Sequence, residues 1–367
     1  MRIYWYWPFA RPEELPLACA TVGVDDEITV HVIDREAAPA VSPCGPVLLR
    51  RDLPDVRRDL RRSPAWLASR SATYAGRAWR RERTVARLQP DICHLHYLNR
   101  FTDWLLPRRR GFRLVMSVHD VVPHVARLPR RAEAGLLEAT YRRADALIVH
   151  HDRLRQELLA RFAVDPARVR VVPHQVFAYG SPSPPPLPER PSVLFFGALR
   201  ANKGIDVLLR AVAGLGEGIA VHIAGRGEPA IEAQLATAAA ADRRLNVEID
   251  HVPMARKVEL FRQASVVVLP YTAFASQSGV LHDAYALGRP VIVTDVGALG
   301  ETVREDGTGL VVPAGDAPAL TEAIERLLSD RPGLARYAER AAAVREARSP
   351  ERIGPLLRLA YEAAAGS

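Results

Sequence analysis

The chain has 367 residues, enough for two domains with a core each, and 48% hydrophobic against 25% charged residues is the balance of a soluble globular protein. Three widely spaced cysteines, Cys19, Cys44 and Cys93, with no CxxC pair speak against a disulfide framework or a cysteine zinc site, and no stretch is apolar enough to span a bilayer. A formal net charge of +8 favours anionic partners, and its early arginines, from Arg57 to Arg87 and from Arg108 to Arg113, permit contact with acidic lipid. Apart from Arg108 to Arg110 they are spread out, as on solvated helix faces, and no recognition motif accompanies them, which speaks against nucleic acid. The start, MRIYWYWPFARPEE, lacks the apolar core of a signal peptide. With the cysteines, this predicts a cytoplasmic protein that at most docks at the inner membrane face.

In chain order, Arg2 to Trp7 reads as a first strand, Pro8 to Pro12 as a turn, and a helix starts near Glu13. Ile28 to Ile33 is a second strand. Arg57 to Leu88 has helical spacing, with Leu60, Leu67, Tyr74 and Trp79 as expected core contacts. Strands follow at Asp91 to Leu95, Arg113 to Val118, Ala146 to Val149 and Val169 to Val172, with helices at Ala134 to Arg143 and Arg153 to Arg161. The alternation implies a parallel sheet with helices on both faces. Ser181 to Pro191, SPSPPPLPERP, reads as a stiff extended linker and sets the domain boundary. The expected organisation is a first domain over 1–180, a linker over 181–191, a second domain over 192–348 and a C-terminal helix over 349–367 that packs back on the first domain.

After the linker the alternation restarts. Strands are expected at Val193 to Phe196, Ala220 to Ala224, Asn246 to Ile249, Val266 to Leu269, Val291 to Thr294 and Gly309 to Val312. Helices lie between them, including Leu281 to Leu287, and others follow at Ala317 to Ser329 and Pro350 to Ala365. This is a second doubly wound domain. Its first strand ends in FFGALRANKGIDVLL: apolar run, Gly197, a turn with Arg200, Asn202 and Lys203, then Gly204 and a helix with Ile205, Leu208, Leu209 and Val212 on one face. A glycine turn lets backbone approach a bound group, and a helix start favours negative charge. Arginine offers forked donors to phosphate and lysine a mobile point charge. The chain has only two lysines, Lys203 and Lys257, among its 50 basic residues, so a lysine in this turn looks selected.

These segments carry a resemblance. GALRANKGIDVLL, the run from Ala273 to Val303 (AFASQSGVLHDAYALGRPVIVTDVGALGETV) and the run from Asp306 to Ile324 (DGTGLVVPAGDAPALTEAI) resemble the donor-binding half of retaining glycosyltransferases of family 4. SVHDVVPH, from Ser117, and VVPH, from Val171, resemble positions in a branch with a SQSG donor segment, tied to polysaccharide or natural-product assembly. The likeness is strong from about Val193 to Leu328 and weaker before. It implies an α/β GT-B fold: two doubly wound Rossmann-like domains facing a cleft. It also implies a metal-independent enzyme with no cofactor, moving a sugar from a nucleotide diphosphate sugar to an acceptor hydroxyl.

Residue by residue, the resemblance implies that Arg200 and Lys203 hold the donor diphosphate and act in catalysis. Gly197, Gln277, Ser278, Gly279, Val280 and Leu281 line the donor site, and Asp283 binds the ribose hydroxyls. His119, at a strand end, reaches the donor sugar and is the third catalytic residue. The first of the family's two donor-segment glutamates aligns with Ala275, which leaves Ser276, Gln277 and backbone to meet the sugar. The family's glycine-rich loop after the first strand is here Pro8 to Arg11, without glycine. Trp7, Phe9, Arg11 and Asp120 are the acceptor candidates, with Trp5 packed in the core. His94 and His96 alternate on a strand like a metal pair, but no carboxylate motif accompanies them, so packing is expected. His124, His150, His151 and His174 receive no role. Two rival readings stand beside this: a GT-B protein with other chemistry, such as nucleotide-sugar epimerisation or a non-glycosidic coupling, which Ala275 keeps open, and a noncatalytic nucleotide-sugar-binding partner, against which the intact Arg200, Lys203 and Asp283 weigh.

Overall fold

The computed structural model describes the whole chain except residues 34–46, 56–63, 100–102, 104–110, 123–128, 178, 180–182, 274–277 and 367. It divides into two compact units, Met1–His174 with Pro350–Ser367, and Gln175–Ser349.

In the first unit, strands β1 (Arg2–Tyr6), β2 (Glu27–Ile33), β3 (Val47–Leu53), β4 (Ile92–Leu95), β5 (Arg113–Ser117), β6 (Ala146–Val149) and β7 (Val169–Val171) form one parallel sheet in the order β3-β2-β1-β4-β5-β6-β7. Helices α1 (Pro16–Thr21), α2 (Pro64–Leu88), α3 (Arg130–Tyr141) and α4 (Asp152–Arg161) connect it. β4 and β6 are buried at every position, as strands covered on both faces must be; β6 reads as a plain apolar run for that reason, while β4 also buries His94.

The edge strand β3 falls outside the strands expected above. Arg50, Arg51 and Asp52 interrupt its apolar pattern, and its middle is only half-buried. It pairs in parallel with β2, and Asp52 meets His31 of that strand at 2.5 Å.

α2 shows the helix expected there but not the expected inner face. Trp79 is 58% exposed, while Arg77 and Arg81 are buried. Arg81 forms a 2.7 Å ion pair with the buried Asp103, and Arg77 donates to the Pro54 carbonyl at 2.7 Å. A guanidinium can lie inside when its N–H groups are all directed at oxygens, so charge displaced the tryptophan from the inner face. Tyr74 is half-buried under the guanidinium groups of Arg70 and Arg77. Leu60 and the side chain of Leu67 lie outside the described residues.

In the second unit, β8 (Ser192–Phe196), β9 (Ala220–Gly225), β10 (Leu245–Ile249), β11 (Val266–Leu269), β12 (Val291–Thr294) and β13 (Gly309–Val312) form a parallel sheet in the order β10-β9-β8-β11-β12-β13. It is wrapped by α5 (Ile205–Gly214), α6 (Pro229–Ala241), α7 (Met254–Gln263), α8 (Gly279–Ala286), α9 (Leu299–Asp306), α10 (Ala317–Ser329) and α11 (Arg331–Ala347). α5 buries Ile205, Val207, Leu208, Ala211 and Val212, and Leu209 lies at the margin.

The proline run is part of this unit rather than a detached linker. The buried Arg289 donates to the carbonyls of Pro185 at 2.6 Å and Pro186 at 2.9 Å, and Leu187 packs on the core. Proline carbonyls have no amide competing for them, which suits them to a buried guanidinium.

The last helix, α12 (Pro350–Ala365), lies along α1 in the first unit. Gly354 permits the approach, because a Cβ there would stand 2.3 Å from the Ala20 carbonyl carbon. Ile353, Leu357, Ala360, Tyr361 and Ala364 are its buried face, and Leu356 is 42% exposed. Cys93 is a free buried thiol and Cys19 is disulfide-bonded, against the expectation of unpaired cysteines. The cysteine argument for a reducing compartment therefore falls away. Among the described residues no helix is long and apolar enough to cross a membrane.

Candidate functional site

In the second sheet the strand order turns back on itself at β8: β9 and β10 lie on one side, β11 to β13 on the other. Loops leaving two such neighbouring strands diverge and open a crevice beyond their carboxyl ends. Residues 197–204 leave β8 and residues 270–273 leave β11, so the turn and the start of the second motif emerge at this one point.

The two loops are pinned to each other. Gly197 has φ of +126°, and a Cβ there would stand 3.3 Å from a methyl of Val280. The Asn202 amide donates to the Ala273 carbonyl at 3.1 Å, and the Thr272 N–H donates to the Asn202 carbonyl at 3.1 Å. Lys203 ends a single 3-10 turn, and its ammonium sits 3.5 Å from the ring centre of the buried Tyr271. A cation over an aromatic face is held there electrostatically. Burial pushes the Tyr271 phenol up to about 12, so it stays neutral, and its hydroxyl meets Ser278 at 3.0 Å. Arg200 caps the same turn, is exposed, and forms no ion pair among the described residues.

The start of α8 departs in part from expectation. The Leu281 N–H donates to the Ser278 carbonyl at 3.0 Å and Leu281 is wholly buried, so it is a packing residue with no amide left for a ligand. The Ser278 hydroxyl is likewise engaged by Tyr271. Gly279 and Val280 are the first two helical positions, whose N–H groups helix geometry leaves without an intrahelical acceptor. Gln277, with Ala275 and Ser276, lies outside the described residues.

One turn further on, Asp283 is buried. Its Oδ2 meets the Lys257 ammonium of α7 at 2.6 Å, and its Oδ1 accepts from the Tyr179 hydroxyl. Lys257 also donates to that hydroxyl at 2.8 Å.

In the first sheet the order turns back at β1 and β4. Trp7, expected to be open to an acceptor, is 5% exposed and stacks on His96 at 4.2 Å with the rings 8° from parallel. Two flat rings at neighbouring strand ends cover each other, which removes Trp7 from contact with a ligand. Phe9 is 40% exposed, edge-on to Tyr97. Arg11 is ion-paired with Glu14 at 3.0 Å and Glu13 at 3.5 Å, so its charge is largely answered within the loop.

His119 Nε2 donates to the His96 carbonyl at 2.8 Å, which fixes its proton on Nε2 when neutral. Its ring stacks on Tyr97 at 5.0 Å and lies 4.8 Å from His150. His119 and the half-buried Asp120 line a cavity of about 220 Å³ with Tyr97, Ser117, Leu137 and Tyr141. His94 uses both ring nitrogens internally, on the Tyr361 hydroxyl at 2.6 Å and on Ser117 at 2.9 Å. Among the described residues no three His, Cys, Asp or Glu side chains are grouped to hold a metal ion. His124 lies outside the described residues.

Residues 190–330 match the family model described as glycosyl transferases group 1, and residues 24–176 match glycosyltransferase family 4. The chain belongs to glycosyltransferase family 4. A D-inositol 3-phosphate glycosyltransferase of Nocardia farcinica is 28% identical to it over 284 residues, 69% of this chain and 62% of that protein's length. Sucrose-phosphate synthase from Thermosynechococcus elongatus superposes with a TM-score of 0.75 at 20% identity, covering 99% of this chain and 98% of the other. Anabaena HepE, in complex with UDP-glucose, superposes at 0.71 and 14% identity, covering 98% of each chain. At such identities the likeness is one of fold, and the fold is GT-B.

Two residues of this family 4 chain entered no sequence-based site, Lys257 and Tyr179. Lysine scarcity was the available signal for the first, since Lys257 is the second of only two. Tyr179 carried none.

The buried histidines of the first unit predict acid lability. Burial holds His94 down to about 3 and lowers both His96 and His119, the former helped by neighbouring histidines. Unfolded, each takes a proton near pH 6.5; folded, each resists it to lower pH. The unfolded state thus binds more protons below about pH 6.5, and stability is lost as pH falls from there toward the folded values. Each fully suppressed histidine contributes about 1.4 kcal/mol per pH unit in that window. Urea unfolding of this family 4 chain is expected to show steeply falling stability between pH 6.5 and 5, with a shallower slope in His94→Gln. A flat profile over that interval contradicts the assignment.

Proposed function

We propose that this chain is a retaining, metal-independent glycosyltransferase that moves a sugar from a nucleoside diphosphate sugar to an acceptor hydroxyl in polysaccharide or natural-product assembly. The observation that carries the reading is the turn after β8, where Arg200 and Lys203 stand at the turning point of the second sheet with Lys203 held over Tyr271. Two cations beside the N-terminus of α8 answer the charge of a diphosphate, a role a divalent metal would otherwise fill. HepE, of the same fold, is a complex with UDP-glucose, which puts UDP-sugars first among the donors to try.

In the proposed step the bond from the anomeric carbon to the β-phosphate oxygen breaks and the acceptor oxygen bonds to the same face of the sugar. The acceptor proton passes to a phosphate oxygen of the departing diphosphate, so no carboxylate nucleophile is needed. Arg200 and Lys203 stabilise the charge that develops on that leaving group. The second unit holds the donor. In the first unit, Asp120 and the cavity beside it are assigned to the acceptor. The basic surface permits peripheral contact with acidic lipid.

A thermal-shift screen of UDP-, GDP-, ADP- and dTDP-sugars tests this directly. A donor at a hundred times its Kd stabilises the folded chain by about 2.7 kcal/mol, a shift of several degrees. The screen is expected to single out one nucleotide, and product analysis with that donor to show a glycoside of unchanged anomeric configuration. No shift with any donor defeats the proposal, and an inverted product defeats its retaining part.

A further inference from the structure

Asp283 is expected to read the donor ribose, yet it is not presented as a lone surface acid. A side chain from α7 and one from the segment that precedes the proline run both converge on it. The Lys257 ammonium meets Oδ2 at 2.6 Å, the Tyr179 hydroxyl donates to Oδ1, and Lys257 Nζ also donates to the Tyr179 hydroxyl at 2.8 Å, which closes a three-membered ring of contacts. All are long-range: Tyr179 and Asp283 are 104 residues apart, Lys257 and Tyr179 are 78. The ammonium also lies 4.8 Å from the Tyr179 ring centre and 5.7 Å from that of Phe196, the last residue of β8. The ring of contacts therefore lies beside the end of β8, the strand from which the turn with Arg200 and Lys203 leaves.

Three details show that the arrangement is specific. Lys257 and Asp283 are each about 95% buried, with 5% of their surface exposed, and a buried charge persists only when its partner is held in good geometry. Tyr179 has φ of +46°, a backbone that a bulky aromatic adopts only when its surroundings impose it. The third is a count of acceptors. An ionised carboxylate has about four lone-pair sites, and Lys257 and Tyr179 take one on each oxygen. What is left is one site on each oxygen, the acceptor pattern that matches the two O–H donors of a vicinal diol. An aspartate is one methylene shorter than the glutamate of the family pattern, so it has less reach and more need of being held in place.

We infer that Lys257 and Tyr179 are positioning residues for the donor ribose: they lock the Asp283 carboxylate so that its remaining acceptor sites face the 2′- and 3′-hydroxyls, and they make the site selective for ribonucleotides over 2′-deoxyribonucleotides. This rests on the proposed function. It adds that dTDP-sugars, which lack the 2′-hydroxyl, are poor donors.

The test is calorimetric binding of UDP, GDP and ADP, each against its 2′-deoxy counterpart, to the full chain and to Lys257→Met and Tyr179→Phe. The wild-type chain is expected to bind its preferred ribonucleotide about tenfold or more tighter than the deoxy form, the scale of one hydrogen bond to a charged group. In both variants that ratio is expected to fall below about threefold, and Lys257→Arg to recover part of it. A purely structural role would lower affinity for both forms together and leave the ratio alone. Lys257→Met leaves a buried carboxylate without its partner; should it not fold, Tyr179→Phe, which loses only a hydroxyl from a half-buried ring, decides the matter. A wild-type ratio near one, or an unchanged ratio in the folded variants, overturns the ribose assignment and leaves the transferase reading standing. A wild-type chain that binds no nucleoside diphosphate overturns both.

Discussion

Lys203→Ala is expected to lower kcat/KM by about 10²- to 10³-fold, the scale of removing one donor aimed at charge that develops in a transition state. The loss should fall mainly on kcat, because in the proposed step the ammonium is to stabilise the departing diphosphate more than the intact donor. Stability should hardly change: Lys203 is half-buried at the end of a short turn, and its ammonium lies on the Tyr271 ring rather than inside the core. Lys203→Arg should recover only part of the activity: a guanidinium can also stack on the Tyr271 ring, but its N–H groups then lie in a plane along the ring instead of radiating from a compact ammonium 3.5 Å above it. Steady-state kinetics paired with thermal melts check this. Wild-type turnover in a folded Lys203→Ala chain would remove the turn from the chemistry.

Gly204→Ala is expected to destabilise the chain by about 3 kcal/mol or more, the range of an imposed clash at a special backbone position. Gly204 is left-handed, with φ of +66°, and a Cβ there would stand 1.8 Å from the Pro270 carbonyl oxygen. Gly307 is the matched control. Its φ is +63°, and a Cβ there meets nothing within 4 Å. Gly307→Ala therefore feels only the left-handed strain, about 1 kcal/mol. The difference between the two variants in urea unfolding isolates the close approach of the turn to the segment after β11. Because that approach also places Lys203 over Tyr271, Gly204→Ala should lose activity at temperatures where it is still folded. Equal destabilisation at the two glycines would mean that the approach is not tight.

The cation-bearing turn was readable before any coordinates because its signals are local. An apolar run closed by Gly197, two cations within four residues, and Gly204 before a helical pattern all lie within one short stretch. The position of His119 was readable in the same way, as a polar residue just beyond the apolar strand that ends at Ser117. Trp7 was not. Its burial depends on the flat stacking of His96, 89 residues later and just past the end of β4, and no pattern around Trp7 announces that partner. α2 marks the same limit: spacing revealed an amphipathic helix, yet Trp79 faces solvent and Arg77 and Arg81 face inward because Pro54 and Asp103 supply oxygens to them.

By itself, then, the order of residues determined two parallel-sheet units, nearly every strand and the cation-bearing turn, since buried parallel strands and glycine turns write their requirements into consecutive positions. Only the tertiary structure decided the edge strand β3, the placement of the proline run on Arg289, and the meeting of Tyr179, Lys257 and Asp283. Each of these is a pairing between distant segments, in which a charge or a carbonyl is satisfied by a partner that local periodicity does not encode.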